Sequence, residues 1–170
     1  MSVIIDRKKI SQKVKKRVKE KTSLLSQNGI IPPLSVILVG DNAPSAVYVR
    51  SKARACKKTG ISSETIRMDK DTTEAELLTR IDELNNNDAV HGILVQLPLP
   101  GQINEETIIE AIDPEKDVDG FHPLNVGRLV SGADNCFLPC TPAGIMELLH
   151  QYDISTRSKK VTIIGRSNIV

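Results

Sequence analysis

The feature that most constrains the fold of this chain is a repeated alternation between short candidate strands and longer segments with helical periodicity. The segments at 34–40, 64–69 and 92–100 have the length and flanking breakers of strands. Between them, apolar residues recur about every 3.6 positions, as on the buried face of a helix. Strands that alternate with helices are typical of a parallel sheet covered on both faces. The sequence therefore predicts a three-layer α/β domain.

The helical segments have recognisable ends. Pro44 suits the first turn of a helix that reaches Thr59, and Gly60 suits its C-terminal cap. A further apolar run at 161–164 predicts a last strand, and the polar stretch 153–160 before it is the best linker candidate. The other predicted helices are 7–28, 73–86, 104–111 and 141–151.

Composition excludes several classes of protein. The chain has 39% hydrophobic and 26% charged residues. No apolar run approaches the roughly 18–20 residues needed to span a bilayer, and the first residues do not resemble a signal peptide. We therefore expect a soluble, cytoplasmic protein without membrane contact. A net charge of +2 and only four aromatic residues make nucleic acid an unexpected partner. Three cysteines without paired spacing predict reduced thiols, and no metal site is predicted.

The helix after Pro44 carries the first candidate site residues. Ser45, Tyr48 and Lys52 are spaced so that they project from one face, which places an aromatic ring one turn from an amine. A solvated helix face, with the tyrosine ring on the lysine stem, is the structural alternative.

Gln96 is the one polar residue inside the apolar run GILVQLPLP. A buried amide needs hydrogen-bond partners, which a purely structural amide also finds. Ligands of parallel α/β proteins gather at the carboxyl ends of strands, however, and Gln96 lies near such an end. The position favours a ligand site.

The segment DPEKDVDGFHPLNVGRL, residues 113–129, has two aspartates two positions apart, followed by glycine. A calcium loop is excluded because Val126 falls where the bidentate glutamate belongs. Asp117 is equally well explained by an Asx-turn or helix cap and by ligand binding. Asp119 is the better ligand candidate, since a carboxylate can accept paired hydrogen bonds from an amidine-like ring edge.

Five segments, taken together, resemble the bifunctional methylenetetrahydrofolate dehydrogenase/methenyltetrahydrofolate cyclohydrolase family. They are YVRSK, GILVQLPLP, PEKDVDGFHPLNVGRL, PCTPAGI and GRSNIV, in the order and at about the intervals seen in that family. The resemblance implies a folate-binding catalytic domain at 1–150, a linker at 151–160 and, at 161–170, only the first strand of a Rossmann-type dinucleotide domain. We therefore expect the 170-residue chain to lack dehydrogenase activity by itself.

The resemblance also implies roles for individual residues. Tyr48 is expected to stack on the folate, Lys52 to be the catalytic amine, Gln96 to tune it and Asp119 to grip the pterin. The cofactor is expected to be NADP rather than NAD, the substrates tetrahydrofolate derivatives, and the longer protein a homodimer. Further substrate contacts are implied for Val49, Arg50, Ser51, Val95, Leu97, Pro98 and Pro100, and cofactor contacts for Thr141, Gly165, Arg166 and Ser167.

Two other functions remain open from the sequence. The chain can be a folate-binding module without turnover, or the substrate domain of an unrelated amino-acid or shikimate-type dehydrogenase with a similar two-domain plan. The second alternative gives no reason for YVRSK and DVDG to occur together.

Overall fold

The computed structural model describes residues 4–165. Within this range the chain forms helices and strands in alternation, followed by three helices. The elements are α1 (Arg7–Gln27), β1 (Pro33–Val39), α2 (Ala43–Thr59), β2 (Ser62–Met68), α3 (Glu74–Asn85), β3 (Gly92–Val95), α4 (Glu105–Ala111), α5 (Pro123–Val130) and α6 (Cys140–His150).

The three strands form one parallel sheet in the order β2-β1-β3. Ile37 of the central strand pairs with Ile66 on one side and Val95 on the other. Residues 35–39 are buried throughout, as expected for a strand with both faces covered. The predicted α/β fold with a parallel sheet is confirmed.

Two apolar clusters occupy the two faces of the sheet. On one face, Ile37 and Val95 pack with α3 and α4 through Leu77, Ile81 and Ile108. On the other face, Val36, Leu38 and Leu94 pack with Val49 of α2. Each fully buried aliphatic side chain contributes roughly 1.5–3 kcal/mol of transfer free energy, so these clusters hold the layers together.

Local sequence sets the ends of these helices. Gly60 ends α2 in the left-handed conformation, with φ +78°, and its N–H donates to the Cys56 carbonyl, which confirms the predicted cap. Thr73 and Glu76 form a reciprocal capping box at the start of α3.

The predicted strand at 92–100 is shorter than expected, because β3 ends at Val95. The backbone N–H of Gln96 still donates to the Ile37 carbonyl at 2.9 Å, but the ladder does not continue. Pro98 and Pro100 have no N–H to donate, which explains why the strand does not extend to residue 100. The Leu97–Pro98 peptide bond is cis.

The structure differs from the sequence-based expectations at two further places. Residues 161–164 do not form the expected strand, and Val161, Ile163 and Ile164 are exposed. Among the described residues, none of the three strands pairs with this segment. Conversely, α5 was not predicted, because its eight residues are too few for a clear helical period.

None of the helices within residues 4–165 is both long and apolar enough to cross a membrane. The same residues contain no cluster of three or more His, Cys, Asp or Glu side chains that could hold a metal ion.

Candidate active site

Lys52 and Gln96 meet at the carboxyl end of the sheet. Nζ of Lys52 donates a hydrogen bond to Oε1 of Gln96 at 3.3 Å. Lys52 lies on α2, which follows β1, and Gln96 follows the neighbouring parallel strand β3. Both residues therefore lie at the carboxyl-terminal edge of the sheet. The two site residues predicted from separate motifs therefore belong to one arrangement.

The Gln96 amide is held in one orientation. Its Nε2 donates to the Leu97 carbonyl at 2.8 Å, which leaves Oε1 to face the lysine. Ser45, buried at the start of α2, donates to the same carbonyl at 3.4 Å. Ser45 thus ties α2 to the segment after β3, instead of lying open beside Tyr48.

Tyr48 is 64% exposed and therefore presents an open aromatic ring one turn before Lys52. Arg50, Ser51 and Pro98 are exposed, while Leu97 and Pro100 are partly buried. Val49 and Val95 lie in the two core clusters instead, and Val49 leaves only 2% of its surface exposed. In this conformation Val49 offers almost no side-chain surface to a ligand.

Asp119 lies close enough to Lys52 for their charges to interact. Burial raises the pKa of the Asp119 carboxyl above its ordinary value, and the positive charge of Lys52 opposes that rise. The charge of Asp117 raises the pKa of Asp119 further. A partly desolvated carboxyl next to an amine is the kind of pair found at functional sites.

Cys140, which the sequence marked only as a free thiol, joins this group. Its Sγ lies 3.4 Å from the Val118 carbonyl, although the residue as a whole is exposed. Burial of the thiol and the charge of Asp119 raise the pKa of Cys140. No local pattern announces this contact, because Cys140 and Val118 are 22 positions apart.

Asp117 has a structural role. Its carboxylate is 3% exposed and accepts hydrogen bonds from the backbone N–H of Gly120 at 3.1 Å and of His122 at 2.9 Å. Of the two explanations left open by the sequence, the turn-forming one therefore applies. Gly120 follows with φ +71°, which favours glycine.

The largest space near this loop does not lie at Lys52. A cleft of about 560 Å³ runs beside α4 and α5, with Ile109, Phe121, Val126 and Pro139 among its lining residues. A much smaller space has Val95, Leu97 and Asp119 among its lining residues. The candidate site is therefore assigned from the side chains of Lys52 and Asp119 and not from the size of the cleft.

Of the predicted cofactor contacts, the structure describes two. Thr141 is exposed in the first turn of α6, directly after Cys140. Gly165 is exposed at the end of the described range. Arg166 and Ser167 lie outside the described residues, so their contacts stay predictions.

Comparison with known protein families gives two matches along the chain. Residues 5–119 match the model described as tetrahydrofolate dehydrogenase/cyclohydrolase, catalytic domain. Residues 139–170 match the model of the corresponding NAD(P)-binding domain.

Similar proteins come from diverse bacteria. The chain is 53% identical to the bifunctional protein FolD of Chlorobium chlorochromatii over 99% of its own length, and 52% identical to that of Oceanobacillus iheyensis over 100%. It spans 58% and 59% of the length of these two relatives, respectively.

Solved structures are also similar to this chain. The bifunctional enzyme FolD of Campylobacter jejuni superposes with a TM-score of 0.97 at 51% identity, covering 99% of this chain and 60% of that one. The Trypanosoma brucei methylenetetrahydrofolate dehydrogenase-cyclohydrolase, solved with NADP and an inhibitor, gives 0.93 at 34% identity, covering 99% and 58%.

Proposed function

Because this chain belongs to the tetrahydrofolate dehydrogenase/cyclohydrolase family, we propose that it carries the folate site of a bifunctional enzyme of one-carbon metabolism. The family predicted from the five motifs is thereby confirmed. The proposed reactions are the NADP-dependent oxidation of 5,10-methylenetetrahydrofolate to 5,10-methenyltetrahydrofolate and the hydrolysis of that product to 10-formyltetrahydrofolate. The single observation that carries the proposal is the 3.3 Å contact between Lys52 and Gln96, beside Asp119.

Each of these side chains has a part in binding or orienting the folate. The open ring of Tyr48 is suited to lie against a flat aromatic system. The ionised carboxylate of Asp119 accepts paired hydrogen bonds from the amidine-like edge of the pterin. Together they place the one-carbon bridge of the substrate near the amine of Lys52.

Lys52 serves the hydrolysis as a proton acceptor. Water adds to the methenyl carbon and forms a new C–O bond, while Lys52 acts as the general base that takes one of its protons. The adduct then loses its hydroxyl proton as the bond from the carbon to one folate nitrogen breaks and that nitrogen gains a proton. One proton is released overall, and Gln96 keeps the amine in place through its Oε1.

The described residues fit a nicotinamide cofactor at one point. Thr141 is exposed and follows Cys140, whose thiol lies near Asp119, at a helix start without a side-chain cap, so its hydroxyl is suited to a carboxamide. NADP, when bound, supplies the acceptor for the hydride that leaves the methylene carbon. Gly165, Arg166 and Ser167 are proposed to hold its phosphates, with Arg166 favouring NADP over NAD.

The proposal extends to the setting of the protein. We place a folate domain at 1–150, a linker at 151–160 and the start of the cofactor domain at 161–170, in a cytoplasmic homodimer without a nucleic-acid partner. The near-neutral charge of the chain supports the last point. The dimer rests on family resemblance.

Two measurements test the proposal. Calorimetric titration with tetrahydrofolate is expected to give saturable binding that Tyr48→Ala and Asp119→Ala both weaken. Hydrolysis of methenyltetrahydrofolate, followed through its absorbance in a chain extended to the length of the relatives, is expected to depend on Lys52. Binding without any turnover in the extended chain would instead favour a folate-binding module.

A further inference from the structure

The loop that carries Asp119, residues 117–122, is held by a buried polar pair, Asp117 and Asn125. Asp117 is 3% exposed and Asn125, on α5, is 1% exposed. Nδ2 of Asn125 donates to Oδ2 of Asp117 at 3.0 Å. An uncompensated polar group at such a depth costs roughly 1–3 kcal/mol, so each member of this pair depends on the other.

The pair controls the backbone on both sides of Asp119. Asp117 precedes it by two residues, and its carboxylate accepts the N–H groups of Gly120 and His122. The same Nδ2 of Asn125 also donates to the Pro114 carbonyl at 2.9 Å. Asn125 therefore joins the segment before the loop to the carboxylate that folds the loop itself.

The backbone of the loop is also held by close packing and by a hydrogen bond. A Cβ on Gly120 would lie 2.5 Å from the carbonyl carbon of Leu138, so the backbone passes very close there. The carbonyl of Asp119 accepts from the N–H of Cys140 at 3.3 Å. The carboxyl of Asp119 is left to interact with the charge of Lys52 and with the Cys140 side chain.

We propose that Asn125 is a positioning residue for Asp119, acting through Asp117. This inference rests on the proposed function, in which Asp119 binds the pterin. Charge-assisted hydrogen bonds depend strongly on distance and angle, so a loop that can shift loses part of their strength. Among the described residues, Asn125 makes no hydrogen bond to Lys52 or Gln96. Its influence on the substrate therefore passes through the loop.

Asn125→Ala tests the proposal, with Asn85→Ala as the matched control. The Asn85 side chain also joins two backbone segments, donating to the Ala111 carbonyl at 2.8 Å and accepting from the Asp113 N–H at 2.9 Å, but it makes no hydrogen bond to residues 117–122. Both variants are expected to lower the melting temperature. At a temperature where both remain folded, only Asn125→Ala is expected to raise the dissociation constant of tetrahydrofolate, by about three- to tenfold.

A double-mutant cycle separates positioning from a general loss of structure. In an Asp119→Ala background, Asn125→Ala is expected to cause no further loss of tetrahydrofolate affinity, because the group that it positions is gone. An equal loss in both backgrounds would overturn the proposal. If Asn125→Ala does not fold, Asn125→Leu removes the same donor, keeps a side chain branched at Cγ, adds no charge beside Asp117, and enters the cycle in its place.

The outcomes also distinguish this inference from the function on which it rests. Binding that Asp119→Ala weakens and Asn125→Ala leaves unchanged overturns only the role of Asn125. A folded protein that does not bind tetrahydrofolate, or that binds it equally well after Asp119→Ala, overturns the proposed function and this inference with it.

Discussion

Lys52 and Gln96 are 44 positions apart in the chain, yet the Nζ of one donates to the Oε1 of the other at 3.3 Å. The contact exists because β1 and β3 are parallel neighbours, so that α2, which follows β1, begins beside the residues that follow β3. The amide of Gln96 thereby orients the amine of Lys52 at one edge of the sheet.

The first prediction concerns that amine. In the chain extended to the length of its relatives, Lys52→Met is expected to abolish hydrolysis of methenyltetrahydrofolate while leaving the circular dichroism spectrum unchanged, since Met is a good helix former. Gln96→Ala is expected to slow the same step less completely. Lys57→Met, on the exposed last turn of the same helix, is the control and should retain full activity.

The second prediction concerns the affinity for the substrate. Asp119→Ala removes a charge-assisted hydrogen bond worth roughly 1.5–3 kcal/mol and is expected to raise the tetrahydrofolate dissociation constant by about one to two powers of ten. Calorimetry measures the change, and Asp88→Asn, in an exposed loop, is the control. Unchanged affinity in Asp119→Ala would contradict the assignment of this carboxylate.

The third prediction concerns stability as a function of pH. Since burial raises the pKa of Asp119, the folded protein binds this proton more tightly than the unfolded chain does. The associated stabilisation is complete below the unfolded pKa and is lost as the pH rises through the folded pKa. Asp119→Asn is therefore expected to melt at a higher temperature than the unaltered protein at pH 7, with the difference vanishing below about pH 4.

Thermal melts across this pH range check the third prediction. The exposed Asp88→Asn serves again as the control and should show no such pH-dependent difference. A constant difference at all pH values would mean that the Asp119 carboxyl does not carry the effect.

The fourth prediction concerns the thiol beside Asp119. Burial and the charge of Asp119 raise the pKa of Cys140, so little reactive thiolate is present at neutral pH. Asp119→Asn removes the neighbouring charge and is expected to speed alkylation of Cys140 by iodoacetamide, measured by peptide mass spectrometry. The rate at Cys136 provides the internal control and should not change.

The fifth prediction concerns the backbone next to Asp119. Gly120→Ala places a Cβ 2.5 Å from backbone atoms at a residue with φ +71°, and is expected to lower the free energy of unfolding by roughly 2–5 kcal/mol. Gly101→Ala meets no atom within 4 Å and has no such φ, so its effect should stay within about 0.5 kcal/mol. Denaturant melts of the two variants provide the comparison.

Much of the fold could be predicted from local pattern. The helices α1 and α2 and the central strand follow from apolar periodicity and from breakers such as Gly60, because these signals lie within a few residues of the elements they define. The helix α5 could not be predicted, since its eight residues are held largely by contacts such as that of Asn125 with Asp117. The apolar run 161–164 looked like a strand, but a strand also needs a neighbour.

For the candidate site, the sequence alone determined which side chains are the candidates: an amine, an amide, an aromatic ring and a carboxylate, each in a recognisable motif. Only the tertiary structure decided that Asp117 folds the loop while Asp119 faces Lys52, and that Cys140 lies against that carboxyl. The physical reason is that residue type and spacing are properties of a segment. Burial, charge proximity and hydrogen-bond partners arise only when distant segments pack together.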